Sequence, residues 1–181
     1  MHREIAVAAI GGQGALTAGN LLALTAMAKG LHVAAVPNYL PEVRGAEANC
    51  FVIVSDEPIA NCLVTEPHVA LLLCAVSAQK YASRVREKGL IIYNSTLVPN
   101  GVTHPSAQIV AVPATETAQE LGAIQAANMV MLGAYATLDD WVTLEELITT
   151  LQDTVKGRAR KYLEVNISAL RAGADLARNL R

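Results

Sequence analysis

A chain of 181 residues with 52% hydrophobic side chains, 17% charged ones and a formal net charge of −2 is sized for one domain, with a helical appendage at most. The near-zero charge excludes nucleic acid as a partner of the chain as a whole. No run of about 18 apolar residues exists, which excludes a membrane-spanning helix, and Met1-His2-Arg3-Glu4 leads into an apolar run with no signal-peptide character, so a cytoplasmic protein is expected.

In chain order, residues 5–10 are a short run of Ile, Val and Ala and predict a buried strand. Gly11-Gly12-Gln13-Gly14 follows, then a helix over 15–29 with Gly30 as its stop. Residues 32–36 predict a second strand ended by Pro37, and strand, glycine turn, helix and strand make a βαβ unit of a parallel sheet. Residues 38–49 read as a polar loop. Strands are predicted at 50–54, 69–74, 90–93 and 109–112. A helix over 77–88 has Ser77 as its N-cap, and Thr115 caps a helical stretch with Glu116 in the first turn. A buried helix spans 125–138, and Thr143 with Glu146 forms a near capping box for the next. In the last helix, 158–179, Leu163, Ile167, Leu170, Ala174 and Ala177 form one apolar seam that fits its own sheet or another subunit. Alternating strands and helices predict a three-layer α/β/α fold with a mainly parallel sheet. The expected organisation is an α/β domain over 1–155 and a basic C-terminal helix over 156–181.

That last segment holds seven basic residues, Lys156, Arg158, Arg160, Lys161, Arg171, Arg178 and Arg181, against Glu164 and Asp175. It reads as a solvated helix face or as a docking surface for an acidic partner. Cys50, Cys62 and Cys74 are twelve apart and form no Cys-x-x-Cys, so neither a zinc site nor a cluster-binding run is expected. His2, His32, His68 and His104 lack ligand spacing, and Asp139-Asp140 reads as a loop before Trp141 rather than an acid/base pair.

Two features carry chemistry. Glycines after a strand and before a helix let backbone N–H groups face an anion, as a phosphate or pyrophosphate site requires. The dinucleotide pattern fails twice, because Thr17 stands at the third glycine position and Pro37-Asn38 at the place of the ribose-binding acid. The second feature is the loop Asn38-Tyr39-Leu40-Pro41-Glu42-Val43-Arg44-Gly45, expected beside the glycines at the carboxyl edge of the strands. Arg44 there could hold a phosphate or carboxylate, or simply pair with Glu42. Asn128, polar on a buried helix, requires partners and is a third candidate, or else makes a helix-to-loop hydrogen bond.

Taken together, Gly11 to Gly14, Pro41-Glu42-Val43-Arg44-Gly45, Ile53-Val54-Ser55-Asp56-Glu57-Pro58-Ile59, Val112-Pro113-Ala114-Thr115 and Asn128-Met129-Val130-Met131-Leu132-Gly133-Ala134 resemble, in order and over nearly the whole chain, the gamma subunit of 2-oxoacid:ferredoxin oxidoreductases. Leu40 replaces the family's usual glycine and Ala46 its second glycine after the arginine. The resemblance implies a multisubunit enzyme that oxidatively decarboxylates a 2-oxoacid, 2-oxoglutarate or pyruvate, to an acyl-CoA. Thiamine diphosphate and iron–sulfur clusters would sit on partner subunits, and ferredoxin would accept the electrons. This chain would carry no catalytic residue. It would shape the coenzyme A site through Gly11, Gly12, Gln13, Gly14, Arg44 and Asn128, with Asn38, Tyr39, Pro41, Glu42 and Gly45 as a substrate or interface loop. The isolated chain would be inactive and could self-associate. A stand-alone coenzyme-binding protein and a purely structural subunit remain as alternatives.

Overall fold

The computed structural model describes the backbone of residues 1–39 and 46–179, and the side chains of all of these except Tyr39. Among the described residues one sheet contains β1 (His2–Ile10), β2 (His32–Tyr39), β3 (Glu47–Ser55), β4 (Val69–Leu72), β5 (Leu90–Asn94) and β6 (Gln108–Val112), in the order β2-β3-β1-β4-β5-β6. The helices are α1 (Ala15–Ala28), α2 (Ala75–Tyr81), α3 (Ala114–Glu120), α4 (Ala127–Tyr135), α5 (Leu144–Thr154) and α6 (Leu163–Arg178).

The central strands are the expected apolar runs: Ile5–Ala9 of β1 and all of β4 are buried, as strands covered on both faces must be. The mainly parallel sheet contains one strand whose direction the sequence did not indicate. β3 inserts between β1 and β2 and runs antiparallel to both, while β1, β4, β5 and β6 are mutually parallel. The sheet is therefore mainly parallel in direction with one reversed strand. The seven residues between β2 and β3 suit a hairpin-like return, whereas a parallel neighbour needs a crossover of about a dozen residues or more. Pro37 does not end β2, which continues through Asn38 to Tyr39; β2 is the edge strand, and an edge tolerates a residue whose missing N–H faces outward. The predicted caps also shift. Cys74 and Pro113 are the N-cap residues of α2 and α3, and Ser77 and Thr115 lie inside the first turns.

The two faces differ in weight. Ile5, Val7, Val52, Leu71 and Ile92 look into a large core closed by α1, α3, α4, α5 and α6. Ala6, Ala8 and Ala70, with Leu72 and Ile91, face a thinner layer built by α2 and the turn after it. The predicted seam of α6 is its buried face: Ile167, Leu170, Ala174 and Ala177 are buried, and the helix packs on α4 of the same body.

That packing is a backbone contact. A Cβ added to Gly133 of α4 would collide with the carbonyl of Leu170, and one added to Gly173 of α6 with the carbonyl of Val130. The two glycines face each other's helix across an antiparallel crossing, and nothing larger than hydrogen fits. Just past the C-terminal end of α4, Asp139 accepts from Arg3 of β1 at 3.2 Å and from the Tyr135 hydroxyl at 2.9 Å, while Trp141 Nε1 donates to that hydroxyl at 2.6 Å. Asp140 also pairs with Arg3 at 3.1 Å. The paired aspartates thus staple the α4–α5 loop to the first strand. Gly133→Ala or Gly173→Ala is expected to lower unfolding free energy by about 3 kcal/mol or more, the scale of overpacking against an immovable carbonyl. Ser168→Ala on the exposed face of α6 is expected to stay within about 0.5 kcal/mol; urea unfolding separates the two cases.

α5 opens with the expected capping box, Thr143 Oγ1 accepting from Glu146 N and Glu146 accepting from Thr143 N at 2.8 Å. Lys29, after α1, reaches the same carboxylate at 2.8 Å. Partial burial tends to raise the Glu146 pKa, but the Lys29 hydrogen bond and the Thr143 amide outweigh it and hold the carboxyl below its ordinary 4.5. A carboxyl depressed in the folded state stabilises fully above its unfolded pKa, and that contribution fades as pH falls through the folded value. Lys29→Met is therefore expected to flatten the loss of stability below about pH 4.5 without changing the slope near neutrality, as read from urea midpoints across pH.

Candidate functional site

The chain leaves β1 into α1 on one face of the sheet and leaves the adjacent parallel strand β4 into α2 on the other. Such a reversal opens a crevice at the carboxyl ends of the two strands, where ligands of open α/β sheets bind. The Gly11–Gly14 turn follows β1 at that edge, and Leu73, Cys74 and Ala75 follow the neighbouring β4.

The turn is built by its own sequence. Gln13 N donates to Ile10 O at 3.2 Å and Gln13 Oε1 accepts from Ile10 N at 3.1 Å, so the glutamine closes the loop on the end of β1. Gly12 and Gly14 have φ of 94° and 77°, values an L side chain resists. Gly14 is the N-cap of α1 and no side chain caps that helix. The first intrahelical bond runs from Ala18 N to Gly14 O at 3.0 Å, which leaves the N–H groups of Ala15, Leu16 and Thr17 at the positive end of the helix dipole. Space beside Gly12 is open.

Asn128, one residue into α4, is 4% exposed; its Nδ2 donates to Gly14 O at 3.0 Å and its Oδ1 accepts from Met129 N at 2.9 Å. Asn128 therefore acts as a helix-to-loop tie, and it fixes the conformation of the glycine turn. A Cβ on Gly14 would strike the Asn128 amide. The structure thus brings Gly11, Gly12, Gln13, Gly14 and Asn128 together. Asn38 is corrected: it is an exposed residue of β2 opposite Asn49, not a loop residue. Tyr39 ends β2. Pro41, Glu42, Arg44 and Gly45 lie outside the described residues, but the flank of their segment is placed, since Ala46 O accepts from Gly11 N at 2.8 Å.

Two further asparagines escaped the sequence reading. Buried Asn49 accepts from Ala9 N at 3.1 Å and donates to the Tyr81 hydroxyl at 2.9 Å, joining β1, β3 and α2. Buried Asn94 donates to Leu73 O at 3.2 Å and to Thr115 Oγ1 at 2.7 Å, and accepts from Thr115 N at 3.2 Å. An amide at the boundary of an apolar strand was the available signal, and it was overlooked. Lys80 of α2 pairs with Glu47 at 2.6 Å beside the same crevice, and this bond raises the lysine pKa. Gly19 meets the Cys50 side chain closely enough to exclude a Cβ; it supplies the close helix–sheet approach that Thr17, at the usual third glycine position, does not. A depression of about 520 Å³ lined by Met1, His2, Glu4, Asp56 and Pro58 lies at the opposite edge of the sheet and holds none of the predicted residues. Among the described residues, no three of His, Cys, Asp and Glu come together as metal ligands, and no helix is long and apolar enough to cross a membrane.

Because the Asn128 amide occupies the space a Gly14 side chain would need, the two positions are coupled. Gly14→Ala is expected to cost about 2–4 kcal/mol in the parent chain and at least about 1 kcal/mol less in an Asn128→Ala background. Strict additivity in a urea double-mutant cycle would contradict the contact.

Residues 4–176 match the pyruvate ferredoxin/flavodoxin oxidoreductase family. The ketoisovalerate oxidoreductase subunit VorA of Methanothermobacter marburgensis is 34% identical over 97% of this chain, which spans only 36% of VorA. The 2-oxoglutarate synthase subunit KorC of Methanocaldococcus jannaschii is 30% identical, with 99% of this chain and 96% of KorC aligned. In structure, the gamma subunit of a keto/oxoacid ferredoxin oxidoreductase from Geobacter sulfurreducens superposes with a TM-score of 0.83 at 27% identity, over 98% of this chain and 99% of that one. A 2-oxoglutarate:ferredoxin oxidoreductase from Magnetococcus marinus gives 0.84 at 24% identity, over 99% of this chain and 32% of its own, a likeness of fold. With residues 4–176 matched and nearly its full length aligned to such relatives, the chain belongs to the pyruvate ferredoxin/flavodoxin oxidoreductase family.

Proposed function

We propose that this chain is the gamma subunit of a multisubunit 2-oxoacid:ferredoxin oxidoreductase and that its Gly11–Gly14 turn helps to bind coenzyme A. The observation that carries the reading is an uncapped helix N-terminus, opened by glycines, at the crevice between β1 and β4. A pyrophosphate needs close backbone approach and donors aimed at one point. Gly12 leaves room for it, the amides of Ala15, Leu16 and Thr17 supply the donors, and the α1 dipole adds an attraction of about 0.3–1 kcal/mol per anionic charge. Asn128 keeps the turn in that shape before the ligand arrives, which reduces the ordering cost of binding. Arg44 belongs to the segment that returns beside Gly11 at Ala46 and is assigned to the same phosphates. The Magnetococcus marinus enzyme was solved with 2-oxoglutarate, coenzyme A and succinyl-CoA bound, which supports coenzyme A as the ligand.

Thiamine diphosphate and iron–sulfur clusters, held by partner chains, would supply the electron sink and the one-electron path. The cysteines of this chain are unsuited to a cluster: Cys50 and Cys74 are buried apart and Cys62 is exposed. Burial alone raises the Cys50 thiol pKa, which disfavours the thiolate a ligand would need. The substrate belongs to the 2-oxoacids, and relatives act on ketoisovalerate as well as on the 2-oxoglutarate and pyruvate expected from sequence.

The test is kinetic, on the complex purified anaerobically through a tag on this chain and supplied with a panel of 2-oxoacids. Gly12→Asp, which places a carboxylate in the open space of the turn, and Arg44→Ala are each expected to raise the coenzyme A KM about tenfold, close to 1.4 kcal/mol. The 2-oxoacid KM should stay unchanged. An unaltered coenzyme A KM in both variants removes the turn from the site. Lost assembly without a KM change indicates a structural subunit, and a chain that purifies alone yet binds coenzyme A indicates a stand-alone binding protein.

A further inference from the structure

Between α5 and α6 the chain makes a turn over Gly157–Tyr162, of 3-10 type, in which no residue is buried. With the preceding Lys156 it carries Lys156, Arg158, Arg160 and Lys161, and no acidic residue interrupts them. Elsewhere Arg3 pairs with Asp139 and Asp140, Lys29 with Glu146, Lys80 with Glu47 and Arg178 with Asp175, while Arg86 meets His68 and Arg84 the Tyr81 ring. None of the four cations of the turn has an acidic partner among the described residues, although Asp153 and Glu164 stand three residues to either side. Lys161 lies 4.7 Å from the ring centroid of Tyr162, itself 43% exposed. The turn contributes +4 to a chain of net charge −2, so the remainder carries −6.

A six-residue 3-10 stretch spans about 12 Å, so neighbouring charges along it lie within one Debye length at physiological salt, about 8 Å. The four charges therefore repel one another in the free chain, and opposite charge brought to them relieves that repulsion. We propose that Lys156 and the Gly157–Tyr162 turn form a docking site for an acidic patch on a partner protein. A compact acidic patch reaches only the turn, where the potential is positive. An extended polyanion such as duplex nucleic acid would also meet the remaining −6 and be repelled. A lipid surface is disfavoured because Tyr162 is the single exposed large apolar group of the turn, and Val155 and Leu163 on either side pack against the core. The guanidinium groups and an exposed tyrosine are side chains that binding sites favour.

The site is separate from the glycine turn. Gly133 meets Leu170 and Gly173 meets Val130, so α6 runs antiparallel to α4 and its first residue lies toward the end of α4 away from Asn128. Ten residues of helix separate Leu163 from Gly173, about 15 Å along the axis. The inference therefore stands whether or not the glycine turn binds coenzyme A.

The test uses the full chain and a fluorescein-labelled peptide of about ten glutamates, with anisotropy read at about 50 and about 200 mM salt. Binding that weakens about tenfold or more across that range is expected, together with a further loss of about tenfold in Arg158→Glu/Arg160→Glu/Lys161→Glu at the lower salt. All three side chains are exposed, so circular dichroism and the urea midpoint should not move. Arg171→Glu, an exposed cation of α6 outside the turn, should bind as the parent does. Equal binding by the triple variant, an equal loss in Arg171→Glu, no binding at either salt, or tighter binding of a short DNA duplex or of phosphatidylserine vesicles than of the peptide would each overturn the proposal.

Discussion

The contact between the backbones of α4 and α6 sets the position of everything on the heavier face of the sheet. Gly133 and Gly173 let each helix touch the other's carbonyls, and at that distance there is one register and one crossing. The register fixes where α4 begins. Asn128, in the first turn of α4, is then within hydrogen-bonding reach of Gly14, and the glycine turn acquires a single shape. A shift of α4 by the thickness of one methyl group would lengthen that bond beyond use. The precision of the candidate site thus originates in two residues without side chains, Gly133 farther along α4 and Gly173 on α6.

The two edges of the sheet are secured by different chemistry. At the amino edge, Arg3 is bound by Asp139 and Asp140, and the Tyr135–Trp141 pair buttresses the nearer carboxylate. At the carboxyl edge, neutral amides do the tying: Asn49, Asn94 and Asn128 each join two or more elements. An amide satisfies buried donors and acceptors without bringing charge. A carboxylate in Asn128's place would cancel the positive potential of the α1 N-terminus, and a serine or aspartate in place of Gly14 would consume its amides as an ordinary cap. Glycine at the cap and asparagine as the tie leave both the donors and the potential intact.

Much of this architecture could be read in the sequence because apolar runs of four to six residues broken by glycine and proline mark central strands, and the capping residues of α5 mark its start. The glycine turn and Asn128 were legible on the same terms. The reversed direction of β3 was not, since strand composition reports burial and carries no sign of direction; only the short β2–β3 connection encodes it. Pro37 misled because a proline ends a central strand yet fits an edge strand, and edge status is a property of the finished sheet. Gly19, Gly133 and Gly173 look alike in sequence to any helical glycine. Their role depends on what stands opposite, which is Cys50, Leu170 and Val130 at distances along the chain that no local pattern reports.

The core closes over nearly the whole chain. The large cluster on one face draws on β1, β3 to β6 and on five helices, and the residues that complete it run from Ile5 to Ala177. Both ends of that cluster are tied internally, β1 through Arg3 and α6 through Gly173. A core completed within one stretch of chain suits a unit that recurs at different lengths, and the stretch aligned with this chain makes up 96% of one relative and 36% of another. The cations before α6 lie outside that closure, exposed and unused by the core.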